Sequence, residues 1–199
     1  MEFVLPVLII PRINRQTNII FIFHHGGNML KNKMLEAFNK QINAEMYSAY
    51  LYLSMEAYFQ SINLTGFAAW MRAQVQEEMM HAMKFYDYVF ERGGKVELGV
   101  IEKPDAKWDS PLTVFKAVLK HEEHVTSLIN DLVDLALKEK DHASNIFLQW
   151  FVSEQVEEEA NAGGIIEKLK LVKDNTSGLF MLDAELGKRV FTTPPSEAV

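Results

Sequence analysis

Four stretches of the chain carry an apolar stripe at alternating spacings of three and four, the seam that a helix turns toward a bundle core. Each stripe is interrupted by ionisable side chains. The first reads Leu35, Phe38, Ile42, Glu45, Ala49, Tyr52, and the second Phe67, Met71, Gln74, Glu78, His81, Phe85, Tyr88. The third reads Leu112, Phe115, Leu119, Glu122, Thr126, Ile129, Val133, Ala136, and the fourth Leu148, Phe151, Gln155, Glu158, Ala162, Ile165, Leu169. The interruptions fall at one depth. Glu45, the pair Glu78 and His81, and the pair Gln155 and Glu158 sit at the middles of their stretches. Glu122 lies a few residues from its own midpoint, about 4 Å along the axis. Carboxylates converging in an apolar core repel one another unless protons or cations lie between them.

Local signals place the stretches on helices. The first is predicted over about 31–60, free of Gly and Pro. Thr65 is the expected N-cap of a second helix over about 65–92, which stops at Gly93-Gly94. Ser110-Pro111 opens a third over about 110–140, and Asp141 caps a fourth over about 142–172. A short fifth helix is predicted over about 177–190, followed by a flexible tail over 191–199. The links after the first and third helices are short, so each joins an antiparallel hairpin. The middle link, about 16 residues from Gly94, is long enough to return along the bundle surface. The predicted fold is all-α: a four-helix bundle with one long crossover between its second and third helices, plus a short fifth helix.

Composition narrows the function. The 199 residues favour a single domain. A net charge of -7 argues against a nucleic-acid partner, whose phosphates need a basic footprint. No apolar run reaches the ~20 residues of a membrane span. The absence of Cys removes disulfides, thiol catalysis and cysteine-held iron–sulfur clusters, and fits a reducing, cytoplasmic location. Residues 1–28 stand apart: Ile- and Phe-rich, slightly basic, without helical period. They read as an upstream extension from a start assigned too early, with a genuine mobile leader as the alternative. The helical domain is read over 29–190.

Taken singly, none of the interruptions is telling. A lone Glu on a helix is usually solvated, an E-x-x-H pair is common on exposed faces, and Glu157-Glu158-Glu159 would ordinarily be surface charge. The joint pattern points to metal, because carboxylates with an imidazole suit iron or manganese, and two ions need a shared carboxylate. One Glu from each of two helices with an i, i+3 pair from each of the other two is the di-iron arrangement built inside bundles. By helical geometry, Glu77, Glu154 and Glu157 lie one residue off the seam, facing a wetter surface.

From about Met29 to about Gly187 the chain resembles the bacterial and archaeal non-haem ferritins, in the ferritin-like di-iron carboxylate family. The stretches that carry the resemblance are QINAEMYSAYLYLSM, AQVQEEMMHAMKFYDYVFERGG, KHEEHVTSLIN and FLQWFVSEQVEEE. It implies that Glu45, Glu78 and His81 bind one iron, and that Glu78 bridges to a second held by Glu122 and Glu158, with Gln155 beside it. It implies a third, transit iron at Glu77, Glu154 and Glu157 with a contribution from Glu158, and places Tyr52 and Trp150 near the centre. Two features set the chain apart from neighbouring families. Gln155 and Glu158 stand where bacterioferritins and rubrerythrins carry E-x-x-H, which weakens the hold on the second iron. Met79 occupies the haem-ligand position of bacterioferritins, yet no haem is expected.

The resemblance further implies a ferroxidase: two Fe(II) per subunit are oxidised by dioxygen or hydrogen peroxide, and the product is stored as ferric oxide-hydroxide within a homo-oligomeric cage of twenty-four subunits (a 24-mer). The fifth helix would pack around the four-fold axis. The alternatives are a discrete di-iron oxidase or peroxidase that stores nothing, and a purely structural bundle.

Overall fold

Five helices account for most of residues 29–192, the part of the chain that the computed structural model describes. The expectations for residues 1–28 and for the tail from 193 lie outside it. The helices are α1 (Asn32–Ser61), α2 (Thr65–Glu91), α3 (Pro111–Lys138), α4 (His142–Val172) and α5 (Thr176–Leu186). α1 with α2, and α3 with α4, form the two hairpins, and α5 packs on α2 and α4.

Three helix starts are local. The Ser110 side chain accepts from Thr113 N with Pro111 at the first helical position, Asp141 accepts from Ser144 N, and Asn175 accepts from Gly178 N. α2 differs from expectation. Thr65 is its first helical residue rather than its cap, and the preceding Leu64 offers no side-chain acceptor. The free amides of Gly66 and Phe67 donate instead to Asp183 Oδ1 of α5, at 2.8 and 2.9 Å. A carboxylate there also complements the positive end of the helix dipole. α5 is shorter than expected: it ends at Leu186, where Gly187 N bonds back to Asp183 O and the chain turns away.

The crossover follows α1 from its beginning toward its end, held mainly by α1 side chains on crossover backbone. Asn39 Nδ2 donates to Lys95 O, Glu97 N donates to Asn39 Oδ1, Asn43 Nδ2 donates to Val100 O, and Ser54 Oγ donates to Asp105 O. The third helix therefore starts beside the end of the first, parallel to α2, as a single long connection requires.

The core is split. One buried apolar cluster gathers Tyr52, Phe59, Phe67, Phe115 and Ile166 with Leu182 and Leu186 of α5. The other gathers Phe38, Ile42, Phe85, Ile129 and Phe151. Between them lies a polar layer of Glu45, Gln74, Glu78, His81, Glu122, Gln155 and Glu158, all buried. The α3 seam is rotated slightly from the expected one: Val118, Val125 and Leu132 are buried, while Leu119 and Val133 are only half-buried.

Candidate metal centre

Each helix of the bundle delivers its mid-length carboxylate to the layer because the seam spacing turns that position inward. Glu45, Glu78, His81, Glu122 and Glu158 are each 1–2% exposed. One ligand-type atom from each of Glu45, Glu78 and His81 lies within 4.8 Å of the others. His81 Nδ1 is 3.4 Å from Glu78 Oε2, and the ring stands edge-on to Trp150 and Phe151. On the α3–α4 side, Tyr52 Oη donates to Glu122 Oε1, and Gln155 Nε2 approaches Glu122 Oε2 and the Glu122 carbonyl. Gln74 Nε2 donates to Glu158 Oε2 at 2.9 Å, and Gln41 Nε2 donates to Glu45 Oε1 at 2.9 Å.

Three buried atoms in this layer stand out. Among the described residues, Glu45 Oε2, Gln74 Oε1 and His81 Nε2 have no hydrogen-bond partner. Fully buried acceptors left in this condition cost on the order of 1–3 kcal/mol each. A cation among Glu45, Glu78 and the His81 nitrogen that faces Glu78 would satisfy a carboxylate oxygen such as Glu45 Oε2, so the donor set fits a hard or borderline metal.

The electrostatics of the metal-free layer agree. Burial pushes Glu45 up to about 7 and Glu158 up to about 8, with the Glu122 charge adding to both. Burial, then Glu122, Glu45 and Glu158, hold Glu78 well above the usual carboxylate range. Burial raises Glu122 against the lowering effect of Tyr52 and Gln155. Burial also drives His81 down to about 3, so it is a neutral imidazole with a lone pair to offer.

A second acidic group adjoins the first on the side toward α5. Ligand atoms of Glu77, Glu154 and Glu158 lie within 4.8 Å of one another. Glu157 is exposed and does not share this convergence, although its charge contributes to raising Glu77 and Glu154. Glu77 is engaged by Arg189, whose Nη2 lies 2.5 Å from Glu77 Oε2. The sequence reading did not single out Arg189 or Gln41. Gln74 was visible in the α2 seam one turn before Glu78, but its role follows only from where α4 lies. Ser48 Oγ, 2.8 Å from His121 Nε2, backs the layer from the crossover side.

The metal-free protein should lose thermal stability between about pH 6.5 and 8. Carboxyls raised in the fold bind protons more tightly folded than unfolded. Their effect is a stability loss that begins near the ordinary 4.5 and runs through about 7 for Glu45 and about 8 for Glu158. His81 and His121, depressed to about 3 and about 4, act oppositely, but their gain is complete once pH passes their ordinary 6.5. Above that point only the carboxyl slope remains. Calorimetry on chelated protein tests this, and a melting midpoint that rose across the window would contradict it. Bound divalent cation should flatten the slope.

A ferritin-like domain model matches residues 35–172. A bacterial non-heme ferritin of Bacteroides fragilis (strain 638R) is 48% identical over 161 residues, covering 81% of this chain and all of that protein. Among solved structures, a closed form of the Archaeoglobus fulgidus ferritin engineered by site-directed mutagenesis is 57% identical, with a TM-score of 0.81 over 82% of this chain and 99% of that one. The open pore ferritin of the same hyperthermophilic archaeon is 56% identical, with a TM-score of 0.80 over 81% and 98%. With the resemblance extending over the whole bundle and its buried carboxylate layer, the chain belongs to the ferritin-like family, among relatives of the bacterial and archaeal non-haem ferritins.

Proposed function

We propose that this chain is the subunit of an iron-storing ferritin that oxidises Fe(II) to Fe(III) inside the bundle and holds the product as ferric oxide-hydroxide in a cage of twenty-four copies. The observation that carries this reading is the buried layer: four carboxylates and a neutral imidazole, with ligand atoms of Glu45, Glu78 and His81 converging and, among the described residues, Glu45 Oε2 left without a partner. Fe(II) is the substrate, and dioxygen or hydrogen peroxide is the oxidant. Names and structures of relatives support the storage role, and the fit of the donor set supports the ferroxidase role.

In this reading Glu45 and His81 serve one ion, Glu122 and Glu158 serve the other, and Glu78 lies between the two sets. Pairs of metal ions sharing such a carboxylate sit roughly 3.5–4 Å apart. Glu45 and Glu158, raised by burial to about 7 and about 8 in the metal-free state, give up whatever protons they hold as ferrous ions enter. Gln41 and Gln74 then hold one oxygen of each and leave the other to face the metal. Tyr52 fixes the orientation of Glu122. Each ferrous ion yields one electron, so two ions with two protons reduce dioxygen to hydrogen peroxide. A second pair, with two further protons, reduces that peroxide to two waters. Glu77, Glu154 and Glu158, with Glu157 nearby, form a third, transit site through which ferric ions leave toward the mineral. No haem is assigned to Met79. The absence from the described residues of any helix long and apolar enough to cross a membrane is consistent with this role.

The test is to load purified protein with ferrous iron in air and follow it by size-exclusion chromatography with light scattering. One large particle, many times the 22.8 kDa chain and carrying iron, is expected. A dimer that oxidises iron and leaves it in solution would replace storage with the discrete oxidase reading. Oxidation no faster than in protein-free buffer would leave only a structural bundle.

A further inference from the structure

We propose that Arg189 is a tethered counter-ion of the inner acidic site, which an entering cation must displace from Glu77, so that loading of that site is coupled to the segment after α5. The proposal rests on the reading of Glu77, Glu154 and Glu158 as a cation site given above.

The geometry is specific. Arg189 lies three residues beyond the end of α5, its backbone N bonded to Leu186 O. Its side chain turns back to the bundle and lies over the Trp70 ring, with the guanidinium carbon 4.5 Å from the ring centroid. Nη2 meets Glu77 Oε2 at 2.5 Å, in a pair whose side chains are only 22% and 19% exposed. Nη1 is buried and, among the described residues, lacks a hydrogen-bond partner. The guanidinium thus makes one carboxylate contact on this edge and leaves a second donor unused. Its charge also reaches Glu154 and Glu158. These are the carboxylates whose ligand atoms converge with that of Glu77.

A fixed positive charge in direct contact with one of three ligating carboxylates has two effects. In the absence of metal it offsets the mutual repulsion of the group. Toward a divalent or trivalent cation it is a competitor, because a metal drawing on Glu77 would sit beside a like charge. The indole face gives the guanidinium a place to remain once Glu77 turns away, since a cation over a Trp ring keeps part of its stabilisation without a carboxylate. Binding is therefore weaker than the three carboxylates alone would give, which suits a site that passes ions on.

Terbium(III), a redox-inert cation that prefers oxygen ligands, tests this on the assembled, iron-free full chain, with binding read by luminescence. Glu154→Gln should remove one class of terbium sites, which identifies the inner site. Arg189→Gln should tighten that class by roughly tenfold. Arg189→Lys, which keeps the charge, should stay close to wild type. In a Glu77→Gln background the effect of Arg189→Gln should shrink. If Glu154→Gln removes the class but Arg189→Gln leaves its affinity unchanged or weaker, the counter-ion role is wrong and the inner site stands. If Arg189→Lys tightens binding as much as Arg189→Gln does, the charge is not the cause and the proposal fails. If Glu154→Gln removes no class, the inner-site reading fails first, and the proposal with it.

Discussion

Glu78→Ala is expected to abolish the fast, oxygen-dependent phase of ferrous oxidation, lowering its rate by roughly a hundredfold or more, while the chain still folds and assembles. Glu78 is the carboxylate positioned between the α1–α2 ligand set and the α3–α4 set, 2% exposed and influenced by Glu45, Glu122 and Glu158 alike. No neighbour can replace it, since Glu77 faces the inner group and is held by Arg189. Folding should survive because, without metal, the group is a buried acid among acids. The volume-preserving Glu78→Gln should raise the melting midpoint of the chelated protein at pH 8, by about 2–4 °C for each kcal/mol of relieved strain. Stopped-flow absorbance on anaerobic ferrous protein mixed with oxygenated buffer reads the first effect. An assembled Glu78→Ala protein with a fast phase of wild-type rate and amplitude would rule out the proposed centre.

The second large effect is expected far from the centre, at Gly66. A Cβ at this position would stand 1.7 Å from the carbonyl oxygen of Asp183 and 2.5 Å from its carbonyl carbon. These are backbone atoms of α5, so no rotamer change relieves the overlap, and α5 must lift from α2. With it go the two hydrogen bonds from Gly66 N and Phe67 N to Asp183 Oδ1 and the burial of Leu182 and Leu186. Losing a helix cap costs about 0.5–2 kcal/mol, and each exposed Leu adds roughly 1.5–3 kcal/mol. Gly66→Ala should therefore leave the four-helix core intact but render the 173–175 link sensitive to protease and impair assembly. Asp183→Ala should produce a milder version, since it removes the cap without the overlap. Wild-type protease resistance and particle size for Gly66→Ala would show that α5 is not held in this way.

These two positions mark what the sequence could and could not disclose. Glu78 was legible because it breaks an apolar seam at the depth where three other seams are broken. That coincidence is a property of periodicity, and periodicity is written locally. Ser110 and Asp141 were legible for the same reason, each capping amides within three residues. The cap of α2 was not, because its acceptor is 117 positions away in the chain. Thr65 had the right chemistry, but Asp183 had the right place. Arg189 gave no signal at all: the expected fifth helix would have included it, and it acquires meaning only because α5 ends at Leu186 and the chain after it brings the guanidinium beside Glu77. The convergence of Glu77 with Glu154 and Glu158, and the outlying position of Glu157, likewise depend on how α4 is rotated against α2. A one-residue offset in a seam cannot decide that.

The division of the core into two apolar clusters has a consequence for how the molecule moves. In most small domains the most buried layer is also the most rigid, because burial and cohesion come from the same side chains. Here the two diverge. The central layer is as inaccessible to water as anything in the bundle, yet it is polar, with four acids among its members joined by a few hydrogen bonds, and the aliphatic and aromatic cohesion lies above and below it. The metal-free chain is in effect two short bundles placed end to end on shared helices. Its softest cross-section is therefore the one deepest inside, and cations entering that layer join the two halves into one.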